Sequence, residues 1–253
     1  MKMEVFTVEN VPLIKEGDDI ASIICNNTDV CDNDIIVIAS TIVAKSEGRV
    51  FRLEDIEAGE KAKEIASRHD LDPEFIQAVL DRSNEVLMEF PILLVETKNG
   101  HVCIKAGIDE SNVEGGYLAD LPEDPDSSAE NIGKAVEMNT SKKVSVIVTD
   151  TNGRAFKIGQ TGIAVGLYMI HPILNWVGKK DLFGNELEIT QEAVADEIAG
   201  AANLLMGEGD GGCPVVIIRG LKLRSEDSTS VKEMYRTDRE DLIKKGLRCL
   251  RDS

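Results

Sequence analysis

The chain has 253 residues, 42% of them hydrophobic, and its 46 acidic residues against 28 basic ones give a formal net charge of −18. This length allows one large domain or two small ones with a sizeable core. The acidic balance argues against a nucleic-acid partner, because phosphate backbones bind basic surfaces. Any anionic ligand therefore needs local basic residues or bound cations to offset the overall charge.

Five cysteines, an odd number with no Cys-x-x-Cys pair, argue against both a disulfide framework and a zinc site. A reducing cytoplasm is the simplest setting for them. The N-terminus lacks a basic stretch followed by an apolar signal core, and no apolar run approaches the length of a membrane span. We expect a soluble, cytoplasmic protein without a membrane partner.

The N-terminal part alternates strands with short polar segments. Met3–Val8 is predicted to be a strand, and the Val11–Ile14 loop after it has a composition typical of packing rather than binding. Asp34–Ser40 predicts a buried strand that ends in hydroxyl groups, with Lys45 close behind. These groups could hold phosphate oxygens, or the hydroxyls could simply close the strand while the lysine faces solvent.

Two predicted helices, Ile56–His69 and Asp72–Phe90, follow as packing elements. Lys98-Asn99-Gly100 then predicts a hairpin between strands Ile92–Thr97 and His101–Lys105.

The second hairpin strand leads to Asp109 and Asn112, followed by Gly115-Gly116, where a backbone can approach a ligand closely. This stretch is either an Asx-rich turn or one part of a divalent-metal site.

The central segment, Val144–Leu167, reads as a buried strand, a turn at Asn152-Gly153 and a returning strand. This pattern places Asp150 and Thr151 at the end of the first strand, with the cations Arg154 and Lys157 beside them. The alternative is an ordinary hairpin in which the Asp-Thr pair only caps the turn.

Near the C-terminus, an alanine-rich helix from Thr190 to Met206 precedes a glycine-rich loop and the strand Pro214–Arg219. The loop satisfies Gly-x-Gly-x-x-Gly, but it follows a helix and precedes a strand, the reverse of the dinucleotide-binding order, so we reject a Rossmann site. A flexible loop bearing Glu208 and Asp210 can still wrap a nucleotide and offer a carboxylate to its metal, or it is an exposed acidic linker.

No P-loop motif is present in the sequence. What remains is a set of oxygen ligands together with cations from three chain regions: Asp109, Asp150, Thr151 and Glu208, with Lys45, Arg154 and Lys157. This combination fits metal-assisted phosphoryl chemistry, in which metals neutralise phosphate oxygens and basic side chains offset the remaining charge.

Six segments in order along the chain resemble the coenzyme F420-0:L-glutamate ligase (gamma-glutamyl ligase) family: AKSEGRV, KAGIDESNVEGG, LPEDPDSSA, VTDTNGR with GQTGIAVG, ITQEAVADEIAGAANLLMGEG and CPVVIIRG. The resemblance is to the single-domain archaeal form without a fused nitroreductase-like domain. It implies one catalytic unit over residues 1–253, either undivided or built from two lobes.

The resemblance implies a GTP-dependent ligase that adds L-glutamate to coenzyme F420-0, then a second glutamate by a γ-linkage, with release of GDP and phosphate. It further implies two Mg²⁺ or Mn²⁺ ions, stimulation by K⁺, and an α+β fold in an intertwined homodimer.

Carried onto this chain, the family's ligands for one ion match Asp109 and Asp150, and those for a second match Thr151 and Glu208. The nucleotide contacts match three stretches and two single residues: Val11, Pro12, Leu13 and Ile14; Ser40 and Thr41; Lys45; Asn112; and Met206, Gly207, Glu208, Gly209, Asp210, Gly211, Gly212 and Cys213. Where relatives often read DTFGRPWR, this chain has DTNGRAFK, so substrate contacts in that loop differ.

The mechanism we expect is transfer of the γ-phosphate of GTP to the precursor carboxylate, which gives an acyl phosphate that the glutamate amine attacks. Lys45 and Arg154 are the expected charge-balancing residues. Two rival hypotheses remain at this stage. One is a metal-dependent nucleotide or phosphate-ester hydrolase, and the other is a non-catalytic protein that binds a deazaflavin or a nucleotide.

Overall fold

The computed structural model describes residues 2–251 and has an α+β architecture with several sheets. The chain divides into two compact units. The first runs from the N-terminus to Ser46 and from Asp124 to Met234, and the second runs from Glu47 to Glu123 and continues from Tyr235 onward. No helix within residues 2–251 is both long and apolar enough to cross a membrane.

The helices are α1 Ile20–Asn27, α2 Ser40–Ser46, α3 Glu60–His69, α4 Pro73–Arg82, α5 Pro125–Thr140, α6 Val194–Met206 and α7 Leu242–Arg251, with short 3-10 turns at Leu53–Asp55, Lys105–Gly107 and Val231–Met234. The strands are β1 Glu4–Thr7, β2 Ile35–Ala39, β3 Val50–Phe51, β4 Ser83–Met88, β5 Leu94–Thr97, β6 Val102–Ile104, β7 Leu118–Ala119, β8 Ser145–Arg154, β9 Lys157–Tyr168, β10 Leu174–Asn175, β11 Gln191–Glu192 and β12 Val215–Arg219.

The first unit is built on a five-stranded sheet with the order β1-β12-β2-β8-β9. Only β2 and β8 pair in parallel, and the other neighbours are antiparallel. The strands β2 and β12 and residues 146–148 of β8 are runs of buried Ile and Val, as expected when both faces of a sheet are covered. One face packs on α1 and α5 in the main hydrophobic cluster, and α6 packs against β9 and β12.

Two glycines of β9 allow helices to lie directly on this sheet. A Cβ on Gly162 would lie 2.5 Å from the carbonyl oxygen of Ala199 in α6. A Cβ on Gly166 would lie 2.2 Å from the carbonyl oxygen of Pro125 in α5. The alanine-rich helix therefore packs tightly, as its composition predicted, and it does so against its own sheet.

The outer edge of β9 is closed by carboxylates from these two helices. Asp196 of α6 accepts a 2.9 Å hydrogen bond from the backbone N–H of Ala164, and Asp126 of α5 accepts one of 2.8 Å from that of Leu167. Partial burial raises the pKa of Asp196 above its usual value. These bonds satisfy edge N–H groups that would otherwise be open to pairing with another chain.

The second unit contains the antiparallel sheet β4-β5-β6 and the small ribbon β3-β7. Its core is formed by α3 and α4 together with β5 and the Ala106 and Leu118 side chains. Helix α7 is anchored to the sheet by ion pairs, since Arg248 and Arg251 both bond Glu85 of β4.

Three predicted helix boundaries are wrong. The helix predicted from Ile56 begins at Glu60, because Ile56 has an extended backbone at the end of the 3-10 turn Leu53–Asp55. The helix predicted over Asp72–Phe90 ends at Arg82, and Ser83–Met88 is the strand β4, because these residues pair with β5 and bury Leu87. The helix predicted from Thr190 begins at Val194, because Gln191–Glu192 pairs as β11 with β10.

Candidate functional site

The parallel pairing of β2 with β8 brings two predicted site residues together in the first unit. Ala39 lies opposite Thr149, so Ser40 at the start of α2 lies beside Asp150, the next residue of β8. Ser40 Oγ donates a hydrogen bond of 3.2 Å to Asp150 Oδ1. The serine is buried and the aspartate is half-buried, so a carboxylate oxygen stays close to solvent.

A second hydroxyl–carboxylate pair lies on the next residue of β8. Thr151 Oγ1 donates to Glu208 Oε2 over 3.4 Å, and Asn203 Nδ2 donates to Glu208 Oε1 over 2.9 Å. Asn203 lies in the last turns of α6, and Glu208 lies just beyond the end of that helix. The structure thus joins the glycine-rich loop to β8 at Thr151. The sequence analysis missed Asn203, which bonds the Glu208 carboxylate.

The glycine-rich loop from Met206 to Cys213 is open to solvent over most of its length. Gly207 and Gly212 have φ values of +66° and +65°, which favour glycine. Gly209 has no such conformation, and a Cβ built on it meets nothing within 4 Å. The fold itself therefore does not require glycine at position 209, whereas a ligand held against the loop backbone would.

Two other predicted nucleotide contacts belong to the same unit. Thr41 and Lys45 lie in the first and last turns of α2, which begins directly at the end of β2. The Val11–Ile14 loop connects β1 to α1, with Leu13 exposed and Ile14 buried in the main cluster. The loop is therefore anchored on one side and presents an exposed side chain on the other.

The β8–β9 hairpin extends farther than the sequence predicted. Asn152 and Gly153 pair within the ladder, opposite Thr161 and Gln160, and the turn lies at residues 155–156 instead. Phe156 adopts the left-handed conformation within this turn, with φ 64°. Arg154 is exposed at the far end of β8 and donates to the carbonyl oxygen of Ile158 at 2.9 Å.

Asp109 and Asn112 belong to the second unit. Asp109 pairs with Ala119 through two backbone hydrogen bonds of 3.0 and 2.9 Å, which close the loop between them. Its carboxylate accepts bonds from the backbone N–H and the hydroxyl of Ser111, at 2.8 and 2.6 Å. Asn112 has φ 53°, within the tight turn of the same loop.

A family model described as F420-0:Gamma-glutamyl ligase matches residues 9–220. The chain belongs to this family.

Proteins named coenzyme F420:L-glutamate ligase match the chain over its whole length. The protein from Methanosarcina mazei is 62% identical over 252 residues, which cover 100% of this chain and 99% of the relative. The one from Methanosarcina barkeri is 61% identical over 250 residues (99% and 98%), and the one from Archaeoglobus fulgidus is 52% identical over 251 residues (99% and 100%).

The metal ligands implied by resemblance to this ligase family are hard oxygen donors of the kind that Mg²⁺ and Mn²⁺ prefer. Asp150 and Thr151 are consecutive strand residues, so their side chains point to opposite faces of β8. Within residues 2–251 there is no group of three or more His, Cys, Asp or Glu side chains that could hold a metal ion.

Proposed function

We propose that this protein ligates L-glutamate to coenzyme F420-0 in the biosynthesis of coenzyme F420. The observation that carries this proposal is the full-length similarity to proteins named coenzyme F420:L-glutamate ligase, at 62% identity for that of Methanosarcina mazei. The chemistry of the site agrees with it, because carboxylates and hydroxyls from separate segments converge at the sheet edge beside a glycine-rich loop.

The reaction we propose is driven by GTP. The γ-phosphoryl group passes to a terminal carboxylate oxygen of coenzyme F420-0, and GDP leaves. The amine of L-glutamate then attacks the acyl carbon, so that a C–N bond forms, the C–O bond to phosphate breaks, and the amine loses a proton. A second glutamate follows through a γ-linkage. The carboxylate needs this activation because it is a poor acyl donor by itself.

For the nucleotide we propose three contact regions that the first unit provides. The glycine loop Met206–Cys213 would lie along the phosphates with its backbone, which is open at Gly209. Ser40, Thr41 and Lys45 would face the phosphate oxygens from the start and end of α2. The Val11–Ile14 loop would contribute the exposed side chain of Leu13. Asn112, in the second unit, completes the proposed set.

Divalent metal binding is proposed on a second set of residues, which shares Glu208 with the nucleotide contacts. Asp109 and Asp150 would hold one Mg²⁺ or Mn²⁺, and Thr151 and Glu208 a second, and such ions neutralise phosphate oxygens during transfer. The chain's own contribution is orientation: Ser40 fixes the Asp150 carboxylate, and Asn203 fixes that of Glu208.

Activation by K⁺ rests on the family resemblance alone, and replacement of K⁺ by Na⁺ in the assay tests it.

Two cations are proposed to balance charge during transfer, Lys45 and Arg154. Lys45 follows the Ser40 hydroxyl on a single short helix, which supports a role near the phosphates. Arg154 is bonded to its own hairpin, four residues beyond Asp150 along β8, so it would have to leave the Ile158 carbonyl to reach a substrate.

A homodimer is also proposed, and the exposed apolar side chains of the β8–β9 hairpin support it. Phe156 and Ile158 are almost entirely exposed at its end, an unfavourable arrangement for a monomer in water. Sedimentation of Phe156→Asp beside Met138→Asp, an exposed position on α5, tests this. Dissociation of only the first variant is expected, and a wild-type monomer would contradict the proposal.

The deciding experiment is mass spectrometry of the products after incubation with coenzyme F420-0, L-glutamate, Mn²⁺ and either GTP or ATP. Products heavier by one or two glutamyl units, formed only with GTP, are expected. Unchanged precursor with accumulating GDP would indicate a hydrolase, and unchanged precursor with intact GTP would indicate a binding protein. Either result would overturn the ligase.

A further inference from the structure

Arg52 lies on a backbone ribbon that also carries Asp109. In this ribbon β3 pairs antiparallel with β7, with Val50 opposite Ala119. Ala119 pairs on its other side with Asp109. The backbone at Arg52 is still extended, with φ −113° and ψ 146°, so the alternation of side chains continues through it.

The alternation places Arg52 on the same face of the ribbon as Asp109. Residues directly opposite one another in an antiparallel pair share a face, so Val50, Ala119 and Asp109 point one way. Arg52 is two residues beyond Val50 and therefore points that way too. The contact between the Arg52 guanidinium and the Tyr117 ring, 4.7 Å from its centroid, agrees with this, since Tyr117 is two residues before Ala119.

Its neighbour Arg49 shows the contrast. Arg49 points to the opposite face, where it pairs with the buried Asp120 at 3.1 Å. Arg82 bonds the same carboxylate and lies over the ring of Phe51, 4.0 Å from its centroid. These contacts give Arg49 and Arg82 a structural role in the unit, which Arg52 does not share.

The hydrogen-bonding capacity of Arg52 is largely unused by the described chain. Its Nε is buried and has no hydrogen-bond partner within residues 2–251. Its ion pair with Glu54 joins side chains that are 42% and 66% exposed. Exposed pairs of this kind contribute little to stability, so a ligand can displace this one. The ring of Tyr117 orients the guanidinium, and the Arg52 side chain as a whole remains 42% exposed.

We propose that Arg52 binds a substrate carboxylate on the face of the ribbon that presents Asp109, an assignment that rests on the proposed ligase function. Both acidic substrates, coenzyme F420-0 and L-glutamate, bring a carboxylate, which the planar arginine fork binds through two parallel hydrogen bonds. A chain with a net charge of −18 repels such substrates, and a fixed local cation offsets that repulsion.

The kinetic test compares Arg52→Gln and Arg52→Lys with Arg68→Gln. Arg68 is a matched control because it is 45% exposed and also pairs with glutamates of the second unit, Glu64 and Glu89. Loss of a charge-assisted bond in Arg52→Gln should raise the KM of one carboxylate substrate roughly 10- to 100-fold, with that of GTP unchanged. The lysine variant should recover part of the loss, and Arg68→Gln should resemble wild type.

The substrate whose KM rises identifies the source of the carboxylate. A purely structural role for Arg52 would instead lower the melting temperature and leave both KM values within about twofold of wild type. That pattern would overturn the proposal.

A second measurement does not depend on turnover. Phenylglyoxal modifies accessible arginines, and fragment-ion mass spectrometry locates the modified positions. Coenzyme F420-0 or L-glutamate, each added separately with Mn²⁺ and GTP, should protect Arg52 and leave Arg68 reactive. Protection without glutamyl products would retain the carboxylate site while the ligase function fails. Equal modification of Arg52 with and without both substrates would overturn the site, whatever the activity.

Discussion

Ser40 Oγ donates to Asp150 Oδ1 across 3.2 Å, although 110 positions separate the two residues in the sequence. This contact depends on the parallel register of β2 and β8, in which Ala39 lies opposite Thr149. It fixes the carboxylate that we propose as a metal ligand, at a position where the aspartate is only half-buried.

Replacement of this carboxylate gives the first prediction. Asp150→Ala should lower kcat by about a thousandfold or more, because transition-state charge would lose its main electrostatic support. The melting temperature should stay within a few degrees of wild type, since the side chain is not part of the core. Glu130→Ala, which removes a carboxylate from a surface pair with Lys134, is the control and should keep full activity. Substantial activity of Asp150→Ala with added Mn²⁺ would reject the two-metal proposal.

The second prediction concerns Asn203, which touches Glu208 and is not itself a proposed ligand. In Asn203→Ala the Glu208 carboxylate loses its 2.9 Å bond and keeps only the longer contact of 3.4 Å from Thr151. Loss of such an orienting contact typically weakens metal binding about 10- to 100-fold. Titration of Mn²⁺ by electron paramagnetic resonance measures this, with the exposed neighbour Leu204→Ala as control. Equal Mn²⁺ affinity in both variants would mean that the Asn203 bond does not orient Glu208 for the ion.

The glycine-rich loop gives the third prediction. In Gly209→Ala the added methyl group meets nothing within 4 Å and the backbone needs no left-handed conformation, so stability should be unchanged. The KM for GTP should nevertheless rise roughly tenfold or more, because the methyl group would separate the loop backbone from a phosphate.

Gly246→Ala, in the exposed interior of α7, is the matched control for this substitution. It should raise the free energy of unfolding by about 0.5–1 kcal/mol and leave the KM for GTP unchanged. A Gly209→Ala enzyme with wild-type kinetics would show that the loop backbone does not contact the nucleotide.

Much of the first unit could be predicted from local sequence. The runs of Ile and Val in β2, β8 and β12 specify buried strands by themselves, and their polar ends pointed to Ser40, Asp150 and Thr151. That Ser40 and Asp150 lie together could not be predicted from local sequence, because it depends on the order of the strands in the sheet. The sequence does not reveal that β8 pairs in parallel with β2, and the Ser40 contact exists only in that pairing.

The wrong boundaries have a common cause, which is tertiary pairing that overrides local propensity. Ser83–Met88 carries apolar residues at helical spacing, yet it pairs with β5 and its Glu85 bonds arginines of α7. Asn152-Gly153 has strong turn propensity, but both residues pair with β9, and the turn forms at residues 155–156. Asn203 was missed because an amide near a helix end has no local signal, and its role appears only once the helix lies beside Glu208.

The last prediction is a pH dependence of stability that arises from His101. Burial lowers the pKa of this histidine from 6.5 to about 4, and its Nε2 has no hydrogen-bond partner within residues 2–251. The folded protein therefore keeps His101 neutral while the unfolded chain takes up a proton below pH 6.5. Stability is lost as the pH falls from about 6.5 to about 4, by roughly 3 kcal/mol from this group.

Urea denaturation of wild type and of His101→Phe between pH 7 and pH 4 measures this loss. Phenylalanine retains a ring beside Tyr235, whose centroid is 6.3 Å away, and removes the unpartnered nitrogen, so the variant should be at least as stable at pH 7. Carboxylates such as Glu85, whose pKa the nearby arginines lower to about 2, lose stabilisation on acidification in both proteins, so the difference between the proteins isolates His101. The difference should grow steadily below pH 6.5 in favour of the variant. Parallel curves over this range would show that His101 is protonated equally in the folded and unfolded states.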